Sequence, residues 1–150
     1  MMGQRKIIAG LGAGAFAVSL MMVAAPSANA SGTQDYCPAD RVCLWFNSNY
    51  GGARADFRVS DANLSNELFN DGPEGANGWR VQVEDNAASF HNRSGNTMIF
   101  FNFRNCDIDG AYRVVGPGGK DNFGTALKNK VSSIIISNEG LCVNVDQSNA

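Results

Sequence analysis

The stretch Trp45-Phe46-Asn47-Ser48-Asn49-Tyr50-Gly51-Gly52 returns 58 positions later as Phe103-Arg104-Asn105-Cys106-Asp107-Ile108-Asp109-Gly110. Each copy sets an aromatic ring, four residues, a bulky apolar side chain, one residue and a glycine. A second pair of marks follows, in which Asp85-Asn86-Ala87-Ala88-Ser89 and Lys128-Asn129-Lys130-Val131-Ser132 share Asn-x-x-Ser. Recurrence of two linked marks implies one supersecondary unit used twice. The first aromatic sits at a strand end where its ring can cover a folded-over hairpin, and the glycine allows a backbone angle closed to other residues. The later serine can hydrogen-bond back to the hairpin. The halves differ in the connection between marks, 37 positions from Gly52 to Ser89 against 22 from Gly110 to Ser132.

Period-two apolar patterning gives the strands. Val42, Leu44 and Phe46 share one face, and Phe57 with Val59 begin a further run. Trp79–Val83, Ala88–His91, Met98–Phe103, Ala111–Val115, Ser132–Ser137 and Leu141–Val145 complete the set. No window shows a sustained helical stripe, although Leu64–Phe69 has room for one helical turn. The expected fold is an all-β sandwich of two four-stranded antiparallel Greek-key units, with halves at about 37–95 and 96–145.

Residues 1–30 stand apart. Arg5 and Lys6 precede an apolar run, Ile7–Val23, and Ala28-Asn29-Ala30 fits the small-x-small cleavage pattern of a secretory signal peptide. Residues 31–150 then form one domain. The first thirty residues hold two of the twelve basic residues and none of the fourteen acidic ones, which leaves 10 against 14 and a net charge of −4. Nucleic acid is therefore a poor partner, and no basic block suits a lipid surface once the signal is removed. A secreted, extracellular monomer is expected. Export places Cys37, Cys43, Cys106 and Cys142 in an oxidising compartment, so two disulfides are expected. Of three connectivities, Cys37 with Cys43 and Cys106 with Cys142 keeps each bridge within one half.

With these residues the chain resembles the βγ-crystallin motif: aromatic-x4-aromatic-x-Gly, then Asn/Asp-Asn/Asp-x-x-Ser/Thr-Ser. Trp45, Tyr50, Gly52 and Asp85-Asn86-x-x-Ser89 match it closely. Phe103, Ile108 and Gly110 match more loosely, with Ile108 in place of the second aromatic and Lys128 in place of the first acid or amide. The opening Cys37-Pro38-x4-Cys43-Leu44 before Trp45, with Asn49-Tyr50-Gly51-Gly52 and Val131-Ser132-Ser133, resembles peptidase inhibitor family thirty-six, the streptomycete metalloproteinase inhibitor-like proteins. The resemblance implies a disulfide-bridged inhibitor of secreted thermolysin-like zinc proteases that offers a rigid loop as a substrate. A clamped loop loses little entropy on docking, so more contact energy is expressed as affinity. Such proteases favour a bulky apolar residue just after the scissile bond, which makes Cys43-Leu44, Asp107-Ile108 and Cys142-Val143 the candidate bonds. The family's Cys-Val bond is matched in letters by Cys142-Val143, whereas Cys106 is followed by Asp107. Within the loop Cys106-Asp107-Ile108, Ile108 is the best apolar anchor, but as a replacement for the motif aromatic it is expected to face the core.

Little else carries chemistry. His91 is the only histidine, no His-Glu-x-x-His is present, and Glu84 and Asp85, adjacent on a strand, would face opposite ways. Gly116-Pro117-Gly118-Gly119 is a loop without the Gly-Lys-Ser/Thr of a phosphate cradle. An enzyme is not expected, and no cofactor is required. The alternative is a calcium-binding structural or binding module, in which Asp85, Asn86 and Ser89, with Asn129 and Ser132 in a poorer second site, supply oxygens. Residues 60–78 form a long insertion able to contact another secreted partner.

Overall fold

The computed structural model describes residues 35–137. Among these residues seven strands form two antiparallel sheets: β1 (Val42–Trp45), β2 (Arg54–Phe57), β3 (Ser89–Asn92), β4 (Met98–Phe101), β5 (Tyr112–Val115), β6 (Lys120–Asn122) and β7 (Ser133–Ile136). The first sheet runs β2-β1-β3-β6 and the second β5-β4-β7. β6 follows β5 in the chain yet pairs with β3 of the first half, Phe90 opposite Asp121. The reciprocal exchange is a single bridge, Asp61 with Ile134 of β7, with amide-to-carbonyl bonds of 2.9 and 2.8 Å. Each half thus lends its third strand position to the other sheet, and the first half lends only a fragment.

Alternation produces the core. Val42, Leu44, Phe90, Met98, Phe100, Ile134 and Ile136 all face inward and are essentially inaccessible. The Phe90, Phe100 and Phe123 rings pack with centroids 4.8–4.9 Å apart, and the Arg113 guanidinium lies 4.8 Å over Phe90. On the outer face of the first sheet Trp45, Cys43, Cys37 and Tyr50 form a smaller cluster. There the segment before β1 is fastened by a Cys37–Cys43 disulfide, and Trp45 meets Tyr50 edge to face at 5.5 Å.

Three expectations change. Trp79–Val83 is not a strand: Gly78 and Arg80 have φ of +86° and +61°, and Trp79 and Val81 close turns onto Ala76 and Gly78. Tertiary packing of the turn overrides its β-rich composition. Lys120–Asn122, with no apolar alternation, is a strand because the edge of β3 offers it partners. Residues 60–78 are not simply a projecting loop, since Leu64 and Phe69 are fully buried and the 3₁₀ turn Leu64–Asn66 is capped by the Asn63 side chain. Val59 is exposed beyond the end of β2, and Leu141–Val145 lies outside the described residues.

Candidate functional site

Both hairpins fold over in the same way, in a register the sequence comparison missed. Val42 of β1 corresponds to Met98 of β4, a shift of 56, so the residue matching Trp45 is Phe101, not Phe103. Asn49 and Tyr50 have φ of +57° and +60°, and Asn105 and Cys106, again 56 further on, have +58° and +54°. The amide N–H of Tyr50 donates to Ser89 Oγ at 3.1 Å and Ser89 donates to the Asn47 carbonyl at 2.7 Å. In the second half Cys106 N–H donates to Ser133 Oγ at 3.0 Å and Ser133 donates to the Phe103 carbonyl at 2.6 Å. The serine that pins the second hairpin is therefore Ser133, one residue beyond the expected Ser132, and Cys106 stands where Tyr50 stands. The returning strands keep the shift of 58, with Trp45 opposite Arg54 and Phe101 opposite Tyr112. The second hairpin is consequently two residues longer.

Those two extra residues fall in the loop carrying Asp107 and Ile108. Ile108 is 73 % exposed, which overturns the expectation that it replaces the motif aromatic in the core. The loop around it is anchored. Asn105 N–H donates to the Ala62 carbonyl at 2.8 Å, Asp109 N–H to Asp107 Oδ1 at 2.8 Å, and Cys106 is disulfide-bonded. Its expected partner, Cys142, lies outside the described residues, as does the Cys142-Val143 bond. Gly110 is required on the far side, since a Cβ there would stand 2.7 Å from the Phe103 ring. Phe103 itself is half exposed. Cys43-Leu44 is excluded as a presented bond, because both residues are fully buried in a central strand.

The Asx-x-x-Ser segments meet across an approximate twofold axis. Asp85 N–H donates to the Val131 carbonyl at 3.1 Å, and Asn129 N–H donates to the Ala87 carbonyl at 2.8 Å. Asp85 and Asn129 share φ near +60° (+59° and +56°), so Asn129, not Lys128, is the counterpart of Asp85. This pairing creates two related hollows. One is lined by Asn47, Ser48, Asn86, Lys128 and Asn129. In the other, Ser132 Oγ lies 3.4 Å from Asp85 Oδ1 and donates to the Asn102 carbonyl at 3.1 Å, while the Arg104 guanidinium grips Glu84 with two bonds of 2.5 Å. That hydrogen bond to Arg104 holds the Glu84 carboxyl below its ordinary pKa against the opposing effect of burial.

The residues do not fit a calcium ion well. Calcium takes about six to eight oxygens, carboxylates among them, yet the first hollow offers amide and hydroxyl oxygens without a carboxylate and includes Lys128 in its lining. The second already holds a guanidinium on its carboxylate. Ser89 is fully buried, and its hydroxyl is engaged with Asn47 and Tyr50. Among the described residues no three His, Cys, Asp or Glu side chains cluster as metal ligands. His91 lies opposite the disulfide-bonded Cys43 in the ladder, with its Nδ1 4.0 Å from the Asp35 carboxylate.

Two exchanged Greek-key halves with serine-pinned folded hairpins define a βγ-crystallin-like domain. A structure from work on the evolution of the eye lens βγ-crystallin domain fold is similar, with a TM-score of 0.53 at 15 % identity over 68 % of this chain and 90 % of that one. A βγ-crystallin from Ciona intestinalis (TM-score 0.47, 19 % identity, 64 % and 98 % covered) and one from an archaeon (0.46, 20 %, 66 % and 99 %) are also similar. Within that fold the chain belongs to peptidase inhibitor family I36, whose model matches residues 30–115 and so includes the Asn105–Gly110 loop. No curated protein matches the sequence. Among the described residues no helix is long and apolar enough to cross a membrane.

Proposed function

We propose that the protein is a secreted, non-enzymatic inhibitor of extracellular thermolysin-like metalloproteases, acting through the loop Asn105–Gly110. Family membership supports inhibition of a peptidase. The observation that carries the loop assignment is Ile108, 73 % exposed on a hairpin held at both ends. An exposed apolar side chain following Asp107 suits the pocket that such proteases use just after the scissile bond. Clamping by Ser133, the Ala62 carbonyl and the Cys106 disulfide keeps the backbone in place on docking, so little ordering entropy opposes binding. These clamps hold the chain before Asp107, and the pairing of β5 with β4, with Asn102 N–H on the Ala111 carbonyl, holds the chain after Ile108, so the two ends would stay together after a cut at Asp107-Ile108 and favour religation over release.

A thermolysin inhibition assay with mass mapping of any slowly cut bond tests this. Inhibition with a nick between Asp107 and Ile108 is the expected result. No inhibition at micromolar protein, together with a melting temperature that rises with calcium, would favour the calcium-binding module instead. The Lys128 ammonium and the Arg104–Glu84 pair argue against that outcome.

A further inference from the structure

The twofold relates the two hollows residue by residue, and it reverses their charge. Asn49 and Tyr50 match Asn105 and Cys106, so Ser48 of the first hairpin corresponds to Arg104 of the second. Asp85 matches Asn129, so Glu84 corresponds to Lys128. In the second hollow the hairpin supplies a cation, Arg104, and the Asx segment supplies the carboxylate that it grips, Glu84. In the first hollow the Asx segment supplies the cation, Lys128, and the hairpin answers with only the Ser48 hydroxyl. Asn102 and Ser132 of the second hollow are replaced in the first by Phe46 and Ala88, which line an open space of about 320 Å³. Two of the amides there are engaged already: Asn47 Nδ2 donates to Asn77 Oδ1 at 3.0 Å and Asn86 Nδ2 to the Glu84 carbonyl at 2.8 Å. Among the described residues the Lys128 ammonium forms no ion pair, and the Ser48 hydroxyl and the Asn129 side-chain amide make no hydrogen bond.

We infer that the first hollow binds the carboxylate of a small organic acid, which stands to Lys128 as Glu84 stands to Arg104 in the second. An ionised carboxylate only accepts hydrogen bonds, and its two oxygens take several donors at once. The Lys128 ammonium, the Ser48 hydroxyl and the Asn129 amide are donors of that kind on the lining of one hollow. Bonds in which both partners are charged are the stronger ones, so Lys128 carries the recognition and the two neutral donors orient the ligand. A single cation calls for a single negative charge. Phe46 and Ala88 on the same lining suit a short hydrocarbon body behind the carboxylate. The features that make this hollow poor for calcium, a lysine and no carboxylate, are those that an anion requires.

Propionate titrated into the full secreted chain, isotopically labelled for NMR and held at constant ionic strength with sodium chloride, tests this. Saturable shifts are expected at the backbone amide of Ser48 and at both amides of Asn129, with a dissociation constant in the millimolar range and no response at the Arg104 guanidinium. Lys128→Gln should weaken binding about tenfold or more. The double variant Ser48→Arg/Lys128→Glu builds into the first hollow the pair that Arg104 and Glu84 make in the second, and should abolish binding. Lys128 is exposed and Ser48 half-exposed, and unchanged emission from the buried Trp45 confirms that a variant is folded. Shifts that rise without saturating, that persist unchanged in Lys128→Gln, or that survive in the folded double variant overturn the inference. A saturable response of the same residues to calcium chloride overturns it as well. Thermolysin inhibition belongs to the loop of the other hairpin and is independent of these readouts.

Discussion

At the scale of single residues, what separates one half from the other is charge and exposure at matched positions. Tyr50 buries its ring against Trp45, while its counterpart Cys106 is tied covalently; Gly52 is needed because a Cβ there would lie 2.6 Å from the Asn77 carbonyl at a φ of +77°. Acidic residues of the insertion set the pH response. Burial raises the pKa of Asp61, Glu67 and Asp71 above their ordinary values, and Glu67 is raised further by the other two carboxylates. Backbone N–H bonds and, at Asp71, Arg54 and Arg41 oppose this only in part. For an acid whose folded pKa is raised, the stabilising contribution is complete below the unfolded value and is lost as pH rises through the folded one. Glu84 has the opposite sign, and its contribution falls away as pH drops below its ordinary 4.5. Thermal stability should therefore peak in mildly acidic solution. Glu67→Gln should raise the melting temperature at neutral pH and flatten the slope between mildly acidic and neutral buffer. An unchanged slope would show that this carboxyl cluster does not govern the response.

Elements extend the comparison, because the hairpins share a mechanism of closure. Ser89 and Ser133 are both fully buried, and each accepts one N–H and donates to one carbonyl. Removing either hydroxyl leaves two part-buried backbone groups without their partner, at a cost of about 1 kcal/mol, the low end of the range for a fully buried group. Ser89→Ala and Ser133→Ala should thus lower stability by similar amounts in chemical denaturation, and a negligible effect of Ser133→Ala would reject the register. The sequence made the duplicated unit visible but misplaced its second copy. Phe101 and Phe103 are both aromatic, and the two added loop residues made a constant shift of 58 fit the glycines at the expense of the strand. Adjacent Ser132 and Ser133 allowed a similar one-residue slip. Strands β1, β3, β4 and β7 were legible because each buries apolar residues on its inward face, and β5 was legible from its β-branched and aromatic residues although Tyr112 and Val114 point outward and only Val115 is buried. β6 was not, since Lys120-Asp121-Asn122 owes its conformation to the edge of β3 rather than to its own pattern.

For the whole molecule, the sandwich is a scaffold whose exchanged third strands tie the halves together and hold one loop out from the surface. The sequence named that loop, and the structure decided between two fates for Ile108 that spacing alone left open. Its exposure follows from the extra hairpin length, a feature invisible until the strands fixed the alignment. The charges around the Asx-x-x-Ser segments were less legible. Pairwise charge contacts, Arg104 with Glu84 above all, depend on folded proximity across 20 positions and cannot be read from a local motif.

The inhibition constant of Ile108→Asp against thermolysin, relative to the unaltered protein, tests the loop assignment most directly. Loss of a central interface anchor costs about 2 kcal/mol or more, so inhibition should weaken by about thirtyfold or more while the melting temperature stays the same. Equal inhibition by the two proteins would place the protease contact elsewhere and contradict the account.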